Sequence, residues 1–359
     1  MRSIIQRIAT GPELSKDISR EEARAGMRLV LDGDVDPVQA GVFLIALRMK
    51  RESDEEMCGL LDAIRDATHS VIAAVDELID LGDPYDGYVR TLPVAPFLPA
   101  VLAACGVPVV SHGVESMGPK YGTTHRQVLR SAGLTVDLTV EQAAARLADP
   151  AVGWAYLDQS AFCPKLYALT GLRSLIVKRP ALTTLEVLAG PVRARRKTHL
   201  VTGYVHKAYP RLYALLARAA GFDSALLVRG VEGGVIPSLR QEGKYFHYEN
   251  KNAETVREIT PEEFDLDQSL RPPPIPDELL PPPRDAYTPE LADTSAIANV
   301  AAKLGQRTLA GERGLVRDNL VAAAALCLFH LRRYPSLNAA ADAVRDVLDN
   351  GSARVRFAP

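Results

Sequence analysis

The chain has 359 residues, 47% of them hydrophobic and 24% charged, with a formal net charge of −2. That is enough to bury a sizeable core in one large or two smaller domains, and the slightly acidic balance argues against binding polyanions through bulk charge. No run approaches the roughly eighteen apolar residues of a membrane span, and Met1-Arg-Ser-Ile-Ile-Gln-Arg7 lacks the apolar core of a secretory signal, so no membrane partner and a cytoplasmic location are expected. Cys58, Cys105, Cys163 and Cys327 lie far apart without paired metal spacing and read as free, mostly buried thiols.

Ser19-Arg-Glu-Glu22 forms a capping box, and Ala23, Met27, Leu29, Val30 and Leu31 predict an amphipathic helix that stops at Asp32-Gly33. Asp36-Pro37 opens a second helix, whose inward face is expected to be Val38, Val42, Ile45 and Met49, broadened by Phe43 and Leu47. Ser53-Asp-Glu-Glu56 caps a third, running through Leu60, Leu61 and Ile64. Three short-linked helices make a bundle over residues 1–70. Such a unit keeps apolar surface for a partner, and a homodimer through it is expected.

From about residue 78 short β-branched runs alternate with alanine-rich helices. Asp76–Leu81 predicts a strand and Gly82-Asp83-Pro84-Tyr85-Asp86-Gly87 the turn after it; the helix Ala100–Ala104 follows, then strands at Val107–Val110 and Leu134–Leu138. Leu200–Tyr204 and Ala225–Arg229 are two more strands, with the helix Tyr209–Ala220 between them. The interval 163–188 is more helix-like and is expected to complete the first bundle. The fold class is therefore α/β: a small helical bundle, discontinuous in sequence, beside a larger and mainly parallel α/β domain over residues 71–359. Arg271–Pro289 contains eight prolines and predicts an extended strap. Asp293–Leu304, Val316–Leu331 and Leu337–Asp349 then predict three helices that cover the sheet.

A turn at the carboxyl end of a parallel strand faces ligands, and its free backbone N–H groups suit phosphate. In the 82–87 turn Pro84 has no N–H and Tyr85 is bulky, so two glycines and two carboxylates remain without a compact anion cradle. Arg229-Gly-Val-Glu-Gly-Gly234 is a second glycine-rich turn after a strand, which reads either as a ligand contact or as a simple left-handed turn.

Taken together, Ser19–Ile64 with its Arg-Glu-Glu-Ala, Asp-Gly and Phe43-Leu-Ile-Ala-Leu-Arg-Met-Lys50, Ile259-Thr-Pro-Glu-Glu-Phe264, and Ala310-Gly-Glu-Arg-Gly-Leu-Val-Arg-Asp318 resemble the anthranilate phosphoribosyltransferase family (glycosyltransferase family 3) over most of the length. The resemblance implies a nucleoside phosphorylase/phosphoribosyltransferase-like fold and transfer of a phosphoribosyl group from phosphoribosyl diphosphate to a nitrogen acceptor. The functional segments diverge. Where the family has Gly-Thr-Gly-Gly-Asp-Gly, this chain keeps Gly82 and the closing Asp86-Gly87, and the family's Asn-x-Ser-Thr falls on Pro93-Val94-Ala95-Pro96. His112-Gly113 survives, as do Lys120, Gly122 and Thr123 of the second phosphate loop. The magnesium-binding Asp-Glu pair falls near Gly234-Val235, where neither carboxylate is present. Arg173 matches the arginine that contacts the anthranilate carboxylate.

On this reading Lys120, Thr123 and the Gly122 N–H bind a phosphate, Asp86 holds magnesium or a ribose hydroxyl, and His112 is a general acid or base near the acceptor. Glu232 joins Asp86 as a magnesium ligand in another geometry. Gly82, Asp83, Tyr85, Gly87, Arg90, Thr91, Gly113 and Thr124 complete the substrate loops, with Arg173 at the acceptor; anthranilate itself is not the expected acceptor. The competing readings are solvated loop residues for Asp83 and Thr124 and a satisfied structural histidine for His112.

A non-catalytic, nucleic-acid-binding protein on the same fold is the alternative. Arg193, Arg195, Arg196, Lys197, Lys207, Arg211 and Arg218 occur without an acidic residue between them and alternate with Tyr204, Tyr209 and Tyr213, a pattern that suits phosphates and bases. The same run also reads as a solvated face. His199 and His206 have no Cys/His spacing to support a metal.

Overall fold

The helix starts are set by their caps. In the computed structural model, which describes residues 1–11, 13–267, 272–280 and 292–358, helices α1 (Arg2–Ile8), α2 (Arg20–Asp32), α3 (Pro37–Lys50) and α4 (Asp54–Asp66) form the first unit. Ser19 with Glu22 and Ser53 with Glu56 make reciprocal capping boxes, and Asp36 accepts from the Val38 N–H ahead of the N-terminal turn at Pro37. α1 has no such cap and was not evident from the sequence.

The inward face of α3 differs from the expectation. Ala40, Phe43, Leu44 and Leu47 are buried, whereas Val38 and Met49 are about three-quarters exposed, at 73% and 75%. The helix is apolar nearly all round, so periodicity cannot select a face; the Phe43 ring packing over Gly26 of α2 does. Helix Thr170–Ile176 lies on α3, with Leu172 and Ile176 beside Gly41, while Pro164–Tyr167 and Leu182–Leu185 pack on α2 and α4.

Nine strands follow among the described residues: β1 (Val71–Ile72), β2 (Glu77–Gly82), β3 (Val109–Gly113), β4 (Trp154–Asp158), β5 (Val192–Arg193), β6 (Lys197–Gly203), β7 (Ser224–Val228), β8 (Gly243–Glu249) and β9 (Thr255–Ile259). β1 and β5 pair alone, and the other seven form one sheet in the order β4-β3-β2-β6-β7-β8-β9. The first five are parallel, and β8 and β9 continue the sheet antiparallel. The expected strand at Leu134–Leu138 is absent: Leu134, Val136 and Leu138 alternate inward along an extended segment without a ladder. The paired strand is Trp154–Asp158, whose sequence has no β-branched residue to signal it.

Side-chain alternation splits the core in two. Ile79, Leu81, Val109, Tyr156, Val201 and Leu226 face helices Leu98–Ala104, Thr294–Leu309, Leu315–His330 and Leu337–Asp349. Leu78, Val110, Leu157, Leu200 and Leu227 face α2–α4, Val140–Ala148 and Tyr209–Ala219. The chain winds outward from β2 to β4 and then in the other direction from β6, so the topological switch point lies between the carboxyl ends of β2 and β6. There the Thr202 hydroxyl donates to the Gly82 carbonyl at 2.6 Å.

Of the proline strap, residues 272–280 are described, and the remainder lies outside the described residues. Leu92 N–H donates to Pro273 O and Ile275 N–H to Arg90 O, so the strap runs along the 90–92 loop. Among the described residues no helix is long and apolar enough to cross a membrane.

Candidate functional site

β2 delivers Asp83, Tyr85 and Asp86 to the switch point, and all three are buried. Asp83 accepts from the Tyr88 hydroxyl at 2.6 Å and the Val235 N–H at 3.0 Å, and its Oδ2 lies 3.0 Å from His125 Nε2. Burial, then the Asp83 charge, holds the Tyr88 phenol well above its ordinary range, so it stays a neutral donor. Asp86 is clamped between Lys120 Nζ at 3.0 Å and the Arg179 guanidinium at 2.5 Å.

Behind the turn is a buried relay. Asp80 and His112 share a sheet face on β2 and β3, and His112 Nε2 lies 2.8 Å from Asp80 Oδ1. Since a carboxylate only accepts, that nitrogen carries the proton, and His112 Nδ1 accepts from the Tyr85 hydroxyl at 2.5 Å. Both ring nitrogens of His112 are thereby engaged, with Phe162 covering the ring edge-on. Burial first, and then neighbouring carboxylates, keep the Tyr85 phenol well above its ordinary range.

The two loops are zipped together. Tyr88 and Thr123 exchange backbone hydrogen bonds at 2.9 and 3.0 Å, and the Gly122 N–H donates to Asp86 O. A Cβ on Gly122 would stand 2.5 Å from the Tyr88 carbonyl oxygen, so glycine is required for this approach. The Gly122 N–H is accordingly committed to the protein, not pointed at a ligand.

One set of anion contacts in the region is internal. The Glu232 carboxylate accepts from three successive backbone N–H groups, those of Val89 (3.0 Å), Arg90 (3.0 Å) and Thr91 (2.9 Å), and from the Thr91 hydroxyl (3.0 Å). Convergent N–H donors of this kind are an anion nest. The 230–234 turn reaches it because Gly234 lies so close to the Tyr88 hydroxyl that a side chain there would collide with it.

The remaining candidates separate into groups. Gly82 and Gly113 are buried, with Val187 and Tyr156 against them, and Gly87 abuts Gly122. Thr124 caps helix His125–Ser131 through a capping box, which is a structural role. The Thr123 hydroxyl is buried without a partner, and Arg90 is exposed. Arg173 is buried in a bidentate pair with Glu186 at 2.6 and 3.0 Å. The residues present do not form a magnesium site: Asp83, Asp86 and Glu232 all spend their oxygens on N–H, O–H or cationic donors. Among the described residues neither Asp86 nor Glu232 belongs to a cluster of three ligating groups.

Sequence reasoning missed Asp80, Tyr88, His125, Arg179 and Glu186 as members of this region. Asp80 carried a visible signal, a carboxylate inside an otherwise apolar strand. The others reach the site through tertiary packing.

Part of the basic stretch is spent on contacts within the protein. Arg193 is stacked 4.0 Å from the Phe222 ring centroid and donates to Ala220 O, and burial pushes its guanidinium down to about 10. Arg211 pairs with Asp54, Arg218 with Glu254, and Arg196 lies 3.9 Å from Asp76. Tyr204 and Tyr213 are core residues. Arg195, Lys197 and Lys207 remain exposed.

Comparison with known proteins agrees with the fold. Residues 2–68 match the glycosyl transferase family helical bundle domain and residues 87–271 the glycosyl transferase family a/b domain. An anthranilate phosphoribosyltransferase of Anaeromyxobacter dehalogenans is 31% identical over 345 residues, covering 95% of this chain and 93% of that one. One from Rhodopseudomonas palustris is 26% identical, covering 99% and 96%. Among solved structures, the Thermus thermophilus anthranilate phosphoribosyltransferase superposes with a TM-score of 0.71 at 20% identity, covering 99% of this chain and 97% of that one. The Saccharomyces cerevisiae enzyme in complex with PRPP and Mg gives 0.71 at 15% identity, covering 99% and 95%.

Proposed function

This chain belongs to the glycosyl transferase family that includes the anthranilate phosphoribosyltransferases, and on that premise we propose that it binds phosphoribosyl diphosphate and transfers the phosphoribosyl group to a nitrogen acceptor other than anthranilate. The observation that carries this reading is the nest of Val89, Arg90 and Thr91 N–H groups at the switch point, already closed on a carboxylate. Donors that grip one anion accept another, and a phosphate offers more oxygens than Glu232 does. Glu232 is then a plug that the substrate displaces.

In such a transfer the ribose C1–O bond to diphosphate breaks, a C1–N bond forms and the acceptor nitrogen loses its proton. The protein's part is to position the phosphates and to meet the charge that develops on the leaving diphosphate. Lys120 and Arg179, paired with Asp86, supply that positive charge. Arg173 supports the change of acceptor: both of its terminal nitrogens already hold the Glu186 carboxylate and only the buried Nε has no partner, so an acceptor carboxylate finds no arginine fork open to it there. We assign the dimer contact to the helical unit, where Val38, Met49, Leu175 and Val177 are each more than two-thirds exposed on two helices that pack together or, for Val177, just beyond one of them.

The test is calorimetric titration with phosphoribosyl diphosphate, with and without magnesium, on the wild type, Lys120→Ala and Glu232→Gln. Saturable binding that weakens in the first variant and tightens in the second supports the reading. No heat from the wild type or from Glu232→Gln at millimolar ligand sinks it.

A further inference from the structure

At the other end of the sheet from the switch point, β8 places His247 and Glu249 on one face, two residues apart, and the last residue of helix Leu315–His330 closes over them. One nitrogen or oxygen from each of His247, Glu249 and His330 lies within 4.8 Å of the others. The two imidazoles meet edge to face, with ring centroids 5.8 Å apart.

A chain of hydrogen bonds runs behind His330 from its far end. Glu77, paired with Arg333, accepts from His199 Nε2 at 2.9 Å. Its carboxyl is held below the ordinary range, first by that hydrogen bond, so it is an ionised acceptor. With a neutral imidazole, His199 Nδ1 then accepts from the Ser224 hydroxyl at 2.7 Å. The Ser224 oxygen in turn accepts from His330 Nε2 at 2.8 Å. With its proton on Nε2, His330 has a bare lone pair on Nδ1, and that buried atom has no hydrogen-bond partner. His330 itself is 94% buried, at 6% exposure. His247 has the same arrangement in smaller form, with Nε2 3.0 Å from the Thr255 hydroxyl.

We propose that His247, Glu249 and His330 form a binding site for a divalent first-row transition metal of the zinc class, with Nδ1 of His330 as the buried ligand and solvent completing the coordination. Two imidazoles and one carboxylate are a recurring donor set for such ions, and the outward hydrogen bonds from each histidine to Ser224 and Thr255 are the supporting contacts that orient ligating imidazoles. Closing ligand atoms onto bonds of about 2.0–2.2 Å takes side-chain rotation of the half-buried His247 and Glu249. Glu249 is held by Arg332, an arginine whose own side chain is 78% exposed. Arg332 holds both carboxylate oxygens of Glu249, at 2.6 and 3.1 Å, so the ion has to displace that arginine to bind. The ion would tie the antiparallel edge of the sheet to the end of the Leu315–His330 helix, away from the Asp83–Asp86 turn.

The experiment is zinc titration of the chelator-treated full chain against a chromophoric competitor, with cobalt substitution to read ligand-field absorption. One equivalent is expected to bind at micromolar or lower Kd, and cobalt to give visible bands. His247→Gln and Glu249→Gln, both partly exposed and checked for wild-type melting without metal, should each weaken zinc at least tenfold. Arg332→Ala should tighten it. Absence of stoichiometric binding, or binding unchanged in both His247→Gln and Glu249→Gln, overturns the assignment.

Discussion

Both carboxylate oxygens of Glu186 are taken by the guanidinium of Arg173, at 2.6 and 3.0 Å, with each side chain almost wholly shielded from water. Removing one member of such a pair strands a buried charge. Arg173→Ala or Glu186→Ala should therefore cost about 3–5 kcal/mol, whereas Arg173→Met with Glu186→Leu should cost much less. Urea unfolding of the three variants checks this; equal losses in all of them would mean that the pair contributes through packing alone.

The Glu232 plug predicts a gain on substitution. Glu232→Gln removes the charge that the three N–H groups and the Thr91 hydroxyl hold, so phosphoribosyl diphosphate should bind at least about tenfold more tightly, about 1.4 kcal/mol. Calorimetry measures it directly. Weaker binding would show instead that Glu232 shapes the loop that ligand needs.

Asp54 at the start of α4 and Arg211 on helix Tyr209–Ala219 fasten the helical unit to the sheet domain by two hydrogen bonds of 2.6 and 2.8 Å. The hydrogen bond from Arg211 is the main reason that the Asp54 carboxyl sits below its ordinary value. Because the folded value is the lower one, the unfolded chain binds more protons between the two. The contribution is thus complete above the unfolded value near about 3.9 and is lost as pH falls through the folded one. Both groups are largely exposed, so Arg211→Ala should cost only about 0.5 kcal/mol at neutral pH. Denaturant titrations should show that cost shrinking below about pH 4 and in high salt.

Val38→Asp and Met49→Asp place charge on the apolar outer face of α3 without entering the core. Sedimentation should find these variants monomeric at concentrations where the wild type is dimeric, with melting of the dilute monomer little changed. A wild type that is monomeric at high micromolar concentration would remove this face as the contact.

Local chemistry made much of the fold legible. The capping boxes at Ser19 and Ser53 set helix starts correctly, and Leu337–Asp349 ends where Asn350-Gly351 says it should. What failed was information that sequence neighbours do not hold. α3 is apolar on every side, so only its packing against Gly26 reveals which side is inside. The 193–218 stretch has no acid within it, yet Asp54 and Glu254 arrive from elsewhere to neutralise Arg211 and Arg218. At the candidate site the turn 82–87 was recognisable, but its partners were not. Glu232 is more than 140 residues from the N–H groups it occupies, and Glu186 and Arg179 come from a segment readable only as helical.

Glu232 holds its anchoring position with φ 54° and ψ 16°, a left-handed conformation that costs a side-chain-bearing residue about 1–2 kcal/mol. The catch is therefore sprung. An anion that evicts the carboxylate lets the 230–234 turn relax, and the relief adds to its own affinity, so entry of ligand and release of the turn become one event.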